Sequence, residues 1–151
     1  MAAEYLANTQ QSVSLNAPIV FAASIPCTKG YVYHEDETGI FILRGIVNNP
    51  CANFATYQIT FNSNIALPTG ATAVPIAVAI SINGEERPTS RAIVSPVAAN
   101  EFSNVTSTAI IKVPRGCCFN LSVDYVPANT TDTPATSILV ENANLVINRI
   151  A

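Results

Sequence analysis

The chain has 151 residues, 49% of them hydrophobic and only 11% charged, with a formal net charge of −3. That balance excludes intrinsic disorder and a long solvated coiled coil, both of which need far more charge, and it lacks the basic face that duplex nucleic acid requires. A mean hydropathy of +0.32 is high for a small domain that must clothe itself in charge, so part of the surface is expected to be buried against other subunits or in a membrane.

The membrane alternative fails on length. The longest weakly polar run, residues 71–82, holds twelve residues and includes Thr72, Pro75 and Ser81, whereas a spanning helix needs about 20 apolar residues. The opening Met1-Ala2-Ala3-Glu4-Tyr5-Leu6-Ala7-Asn8 has neither the basic nor the apolar region of a signal peptide. Five Tyr, six Phe and no Trp make poor aromatic girdles for an outer-membrane barrel. Neither membrane nor nucleic acid is an expected partner.

Along the chain, Pro, Gly and Asn punctuate short runs rich in Ile, Val, Thr, Phe and Tyr, and no segment sustains a helical period. Residues 1–15 are expected to form an N-terminal arm outside the core, with residues 16–151 as the single domain. Ile19 to Ser24 reads as a short strand. Tyr31 to His34 and Gly39 to Arg44 flank the polar Glu35-Asp36-Glu37-Thr38, which predicts a hairpin with the acids in its turn. Phe54 to Leu67 alternates over a long strand, with Tyr57, Ile59 and Phe61 on one face and Thr56, Gln58, Thr60 and Asn62 on the other.

Val74 to Ile82 alternates bulky with small residues, leaving a small face against which another element, or another subunit, can pack closely. Asn83-Gly84 is the strongest two-residue hairpin signal, with a return strand running to Val94. Val105 to Val113, Cys118 to Val126, Ser137 to Val140 and Asn144 to Ile150 complete the set, with Pro127 to Pro134 as a polar loop. The pattern predicts an all-β antiparallel sandwich of jelly-roll type with about eight to ten strands and no second domain.

Little in this pattern carries chemistry. Cys27, Cys51, Cys117 and Cys118 show no Cys-x-x-Cys spacing, which argues against zinc. They are expected to be buried thiols or disulfides, with Cys117 and Cys118 pointing to opposite faces of a strand. His34, the only histidine, abuts an acidic turn and is a poor triad base. No Gly-x-Ser-x-Gly elbow or phosphate-binding loop occurs, and Asp124 is expected at a solvent or interface position. The expectation is a non-enzymatic protein with no catalytic residues, no cofactor and no metal.

Taken in order, Gly39-Ile40-Phe41-Ile42-Leu43-Arg44-Gly45, Tyr57-Gln58-Ile59-Thr60-Phe61, Ile76 to Glu85 with its Asn83-Gly84 turn, Thr108-Ala109-Ile110-Ile111 leading to Gly116, and Asn144 to Ile150 resemble the jelly-roll heads of the tumour-necrosis-factor and complement globular-domain superfamily. The likeness extends to bacterial versions that cap collagen-like spore-surface proteins, although no Gly-x-y stalk is present. Glu4 to Gln11 and Val113-Pro114-Arg115-Gly116-Cys117-Cys118 are similar to small proteins encoded beside capsid genes in tailed phages and prophages of gut bacteria. The superfamily resemblance implies a homotrimer, with Tyr31, Tyr33, Phe54, Tyr57, Phe102, Phe119 and Tyr125 as the pool of subunit contacts. The phage resemblance implies a virion protein made in the bacterial cytoplasm. It would decorate the capsid or form a head fibre, and would attach to the major capsid protein or another virion protein through Glu4, Tyr5, Leu6 and Asn8 of the arm. The competing expectation is a receptor- or glycan-binding head of a tail fibre or bacterial surface protein. Such a head would act through the loops Glu35 to Thr38, Glu85 to Arg87 and Pro127 to Pro134, none of which contains an aromatic residue for sugar stacking.

Overall fold

A computed structural model describes residues 2–25 and 30–151. Among them the chain forms twelve strands in two antiparallel sheets. The first sheet contains β1 (Ala2–Ala7), β2 (Gln11–Ser14), β3 (Ala23–Ile25), β6 (Phe54–Ala66), β10 (Ser103–Pro114) and β12 (Ser137–Arg149), in the order β10-β6-β12-β1-β3 with β2 also on β12. The second contains β4 (Val32–His34), β5 (Phe41–Arg44), β7 (Ile76–Ile82), β8 (Glu85–Glu86), β9 (Ala92–Val94) and β11 (Cys118–Val126), in the order β4-β5-β11-β7-β8 with β9 also on β7. From β5 to β7, and again from β10 to β12, successive strands alternate between the sheets. This is the wrapped connectivity of a jelly roll, and it agrees with the fold expected from the strand pattern.

Period-two alternation builds the core. In β6, Ala55, Tyr57, Ile59, Phe61 and Ile65 are buried while the intervening polar side chains face out. They meet Phe41, Leu43, Val78, Ile80, Leu121 and Val123 of the second sheet. Two tyrosines inside this layer resolve their polar ends locally. The Tyr57 hydroxyl donates to the carbonyls of Tyr31 and Arg44, and the Tyr125 hydroxyl donates to the Ala135 carbonyl at 2.7 Å. A buried hydroxyl with a carbonyl partner avoids the desolvation cost that would otherwise expel it.

Four expectations are corrected. Residues 2–15 do not form an arm. β1 lies between β12 and β3, pairing residue for residue from Ala2↔Asn148 to Ala7↔Ala143, and Ala3, Tyr5 and Ala7 are buried. Ile19 to Ser24 is not one strand. That segment crosses between the sheets, held by single bridges at Pro18↔Asp124 and Phe21↔Thr38 before β3 begins. The two closing strands are one, β12, with a register shift between Glu141 and Asn144 where Asn142 adopts φ 54°. The extra residue is absorbed as a bulge and pairing resumes. Finally, the small face of β7 is filled by the chain itself: Ala77 and Ala79 pack with Val126 and Ala128.

Candidate functional site

The outer face of the first sheet spans β10, β6, β12 and β1. Antiparallel register sets its side chains in rows across β10, β6, β12 and β1. Thr106, Asn62, Asn144 and Leu6 form one row, Thr108, Thr60, Val146 and Glu4 the next, and Ile110, Gln58, Asn148 and Ala2 a third. The centre is uncharged. Its amides and hydroxyls bond to one another: Asn104 Nδ2 donates to Asn62 Oδ1 at 2.9 Å and to Asn64 Oδ1 at 3.2 Å, and Thr106 Oγ1 donates to Asn62 Oδ1 at 3.2 Å. Side chains that bond laterally are held in place before any partner arrives, which lowers the ordering cost of covering them.

Beside this face, the edge of the sandwich is apolar and open. Ile110 on β10 is 57% exposed, Ile93 on β9 is 53% exposed and Val97 beyond it is 81% exposed. Phe102, just before β10, is also exposed, and so is Phe54 on the neighbouring β6, opposite Pro114 at the far end of β10. Arg87 spans the two sheets at this edge, with Nη1 donating to the Ile110 carbonyl at 3.2 Å. The Ser107 hydroxyl donates to the Ser90 carbonyl beneath it. Exposed apolar residues strung along an edge of the sandwich are the kind of surface that another protein covers.

The structure divides the aromatic pool named from sequence. Tyr57 and Tyr125 are fully buried in the protomer, and Tyr31 is buried beneath the Arg149 guanidinium, 4.3 Å from its ring centroid. These three are core residues and are unavailable as subunit contacts. Phe54, Phe102 and Tyr33 remain exposed and Phe119 is half-buried, with Tyr33 on β4 and Phe119 on β11 of the second sheet. Ile93, Val97 and Ile110 were missed because single aliphatic residues on edge strands carry no signal apart from their exposure.

The arm residues are likewise redistributed. Tyr5 points into the core, with its ring 4.5 Å from Phe41. Glu4 and Leu6 alternate onto the outer face of the first sheet, and Asn8 is exposed beyond the end of β1. No free arm exists among residues 2–14 for an attachment role.

His34 is not a solvated turn residue. Its ring stacks on Phe41 at 4.3 Å, and Nε2 lies 2.8 Å from the Thr38 carbonyl, to which it donates. Among the described residues, no group of three or more His, Cys, Asp and Glu side chains is arranged to hold a metal. Cys51, Cys117 and Cys118 are free and exposed, so Cys117 and Cys118 do not divide between core and surface. Their neighbouring loops are joined where Arg115 Nη1 donates to the Pro50 carbonyl at 2.7 Å. Cys27 lies outside the described residues.

Asp124 is half-buried on the outer face of the second sheet. It borders a hollow of about 180 Å³ that also takes in Asn16, Ser81, Gly84 and Glu86. Burial raises its pKa above the usual carboxylate value, the Ser122 and Ser81 hydroxyls hold it down, and the nearby Glu86 charge adds to the rise. Glu86 itself pairs with Arg91 at 2.6 Å. A larger open cavity of about 370 Å³ lies between the 68–74 segment and residues 133–137, lined by Pro68, Val74, Pro134 and Ala135 among others, with no charged group.

No protein-family model matches the chain, and no curated protein matches its sequence. The fold, however, is that of the complement and tumour-necrosis-factor jelly rolls. The chain is similar to the globular domain of zebrafish complement 1qA protein, at 12% identity and a TM-score of 0.63 over 99% of this chain and 96% of that one. It is also similar to Eiger TNF from S. frugiperda, at 13% identity and a TM-score of 0.64 over 100% of this chain and 92% of that one. Murine APRIL at pH 5.0 matches at 13% identity and a TM-score of 0.53, over 96% of this chain and 97% of that chain.

Proposed function

We propose that the protein is a non-enzymatic, homotrimeric display module. In the assembly, the apolar edge of one copy, formed by β9 and β10 with Ile93, Ile110 and Phe102, packs on the outer face of the first sheet of the next. Edge against face is a heterologous contact, and three such contacts close into a ring when the rotation is threefold. The observation that carries this reading is the pairing of exposed Ile93 and Ile110 with an adjoining sheet face whose β6 and β12 positions, Asn62, Thr60 and Gln58 beside Asn144, Val146 and Asn148, are uncharged. Together they offer both halves of such a contact on one protomer. The high hydropathy with few charges follows from it. The complement- and tumour-necrosis-factor-like fold and the sequence resemblance to that superfamily support a trimer.

In its finer form, the trimer is a capsid decoration or head fibre of a tailed phage, located on the virion and bound to the major capsid protein or another virion protein. The support is the resemblance carried by Glu4 to Gln11 and by Val113 to Cys118. With β1 inside the sheet, attachment uses the assembled trimer's surface and not a free N-terminal peptide. The test is reconstitution: purified protein mixed with undecorated capsids should co-sediment with them at a fixed stoichiometry. Protein that stays in the supernatant while remaining trimeric would overturn the virion role and leave the trimer standing.

A further inference from the structure

The outer face of the second sheet holds a hollow that trimer packing on the first sheet leaves open. It has about 280 Å³ of space lined by Tyr33, Glu35, Thr38, Ile40 and Ile42. Tyr33 and Ile42 face each other across β4 and β5, on the side opposite the buried Phe41 and Leu43. The Tyr33 ring is 50% exposed and Ile40 is 43% exposed. Neither packs on the core, so an aromatic ring and two isoleucines stand against water with nothing among the described residues to cover them.

The polar content of this hollow is narrow. The Thr38 hydroxyl already donates to the Glu35 carbonyl at 2.7 Å, which leaves the Glu35 carboxylate and the Tyr33 hydroxyl as the lining side-chain groups still to be satisfied. The neighbouring Asp36 and Glu37 are exposed, and none of the three acids has an ion pair among the described residues. A sugar would bring several hydroxyls into a site with one carboxylate and one phenol to receive them, and most of their desolvation would go uncompensated. A long aliphatic stem ending in a cation matches the lining group for group. The stem lies along Ile40 and Ile42, the charge meets the face of Tyr33, and one N–H donates to Glu35. Among the described residues β4 also ends the strand order of its sheet, so an extended backbone can run alongside it.

We propose that this hollow docks an arginine or lysine side chain presented by an extended segment of a partner protein. This goes beyond the trimer reading and does not depend on it. The test uses the full chain, isotopically labelled, and titrates in an acetylated and amidated Val-Thr-Arg-Thr-Val peptide while amide and side-chain resonances are followed. Resonances of Tyr33, Glu35, Ile40 and Ile42 should shift saturably. The same peptide with neutral citrulline in place of arginine should bind at least fivefold more weakly. Glu35→Gln should weaken the arginine peptide at least threefold, Tyr33→Phe should preserve binding, and Tyr33→Ala should abolish it. Equal binding of the citrulline peptide would overturn the proposal, as would shifts that survive both Glu35→Gln and Tyr33→Ala. So would stronger shifts at these residues from methyl galactoside or methyl glucoside, which would make the hollow a sugar site.

Discussion

The two sheets treat their outer faces differently. On the second sheet the chain covers much of its own outer surface. Ala77, Ala79 and Ser81 of β7 are buried, the Arg91–Glu86 pair lies along the edge, and Asp124 is half-buried with one carboxylate oxygen lacking a partner among the described residues. On the first sheet no described segment packs across the centre, where most side chains are hydroxyls and amides, and Asn104 and Thr106 bond to Asn62. Small residues allowed the chain to close over one face. Medium-sized uncharged polar residues left the other open, flat and preorganised. Charge would forbid a like copy from covering that face, and large apolar groups would make a lone chain aggregate. A mainly polar face, uncharged at the central positions of β6 and β12 and bordered by an apolar edge, avoids both problems.

The contrast can be broken from the inside first. Tyr5→Ala removes a buried ring from under the first sheet, where it touches Phe41 and His34. It should cost about 3–5 kcal/mol, measured by chemical denaturation, as large-to-small core changes do. A cost under about 1 kcal/mol would mean that β1 is peripheral after all. Next in size is Ile110→Asp, which puts a charge into the proposed contact. It should weaken self-association by at least thirtyfold, about 2 kcal/mol, in sedimentation at a series of concentrations. Ile40→Asp on the other sheet should leave association unchanged. If both variants dissociate, or neither does, the two faces are not distinct in the way described.

Tyr57→Phe leaves the carbonyls of Tyr31 and Arg44 without their shared donor. The expected loss is about 1–2 kcal/mol of stability with no change in subunit number. The smallest effect belongs to Asp124. Its pKa is raised in the folded chain above the unfolded value of 3.8, chiefly by burial. The folded state therefore holds this proton more tightly than the unfolded state does. The stabilising contribution is complete below the unfolded value and is lost as pH rises through the folded one. Asp124→Asn should raise the melting temperature slightly at pH 7, with a gain that fades toward pH 3. A gain that grows on acidification would contradict the assigned cause.

Much of this architecture can be seen in the residues beforehand. Asn83-Gly84 announces its hairpin because both residues must take positive φ, which they do at 53° and 84°. β6 announces itself by thirteen residues of alternation. β1 hides because its inward positions are Ala3, Tyr5 and Ala7. Two alanines in three give almost no hydrophobic contrast, and neither is β-branched. The bulge in β12 hides because Asn142 reads as a break between strands when it is an extra residue within one. The aromatic pool could not be sorted in advance, because the burial of Tyr57 and Tyr125 depends on carbonyls from distant segments. The outer face of the first sheet escaped notice for a related reason. A polar strand face looks the same in sequence whether it meets water or another subunit, and only the register shows Asn62, Thr106 and Asn144 standing in one row.

The central claim is that the open face is covered by another copy of the chain, and the solution mass tests it most directly. Light scattering on the purified protein at micromolar concentration should give about 48 kDa, three times the 15.9 kDa chain. A single species near 16 kDa, unchanged as the concentration is raised, would contradict it.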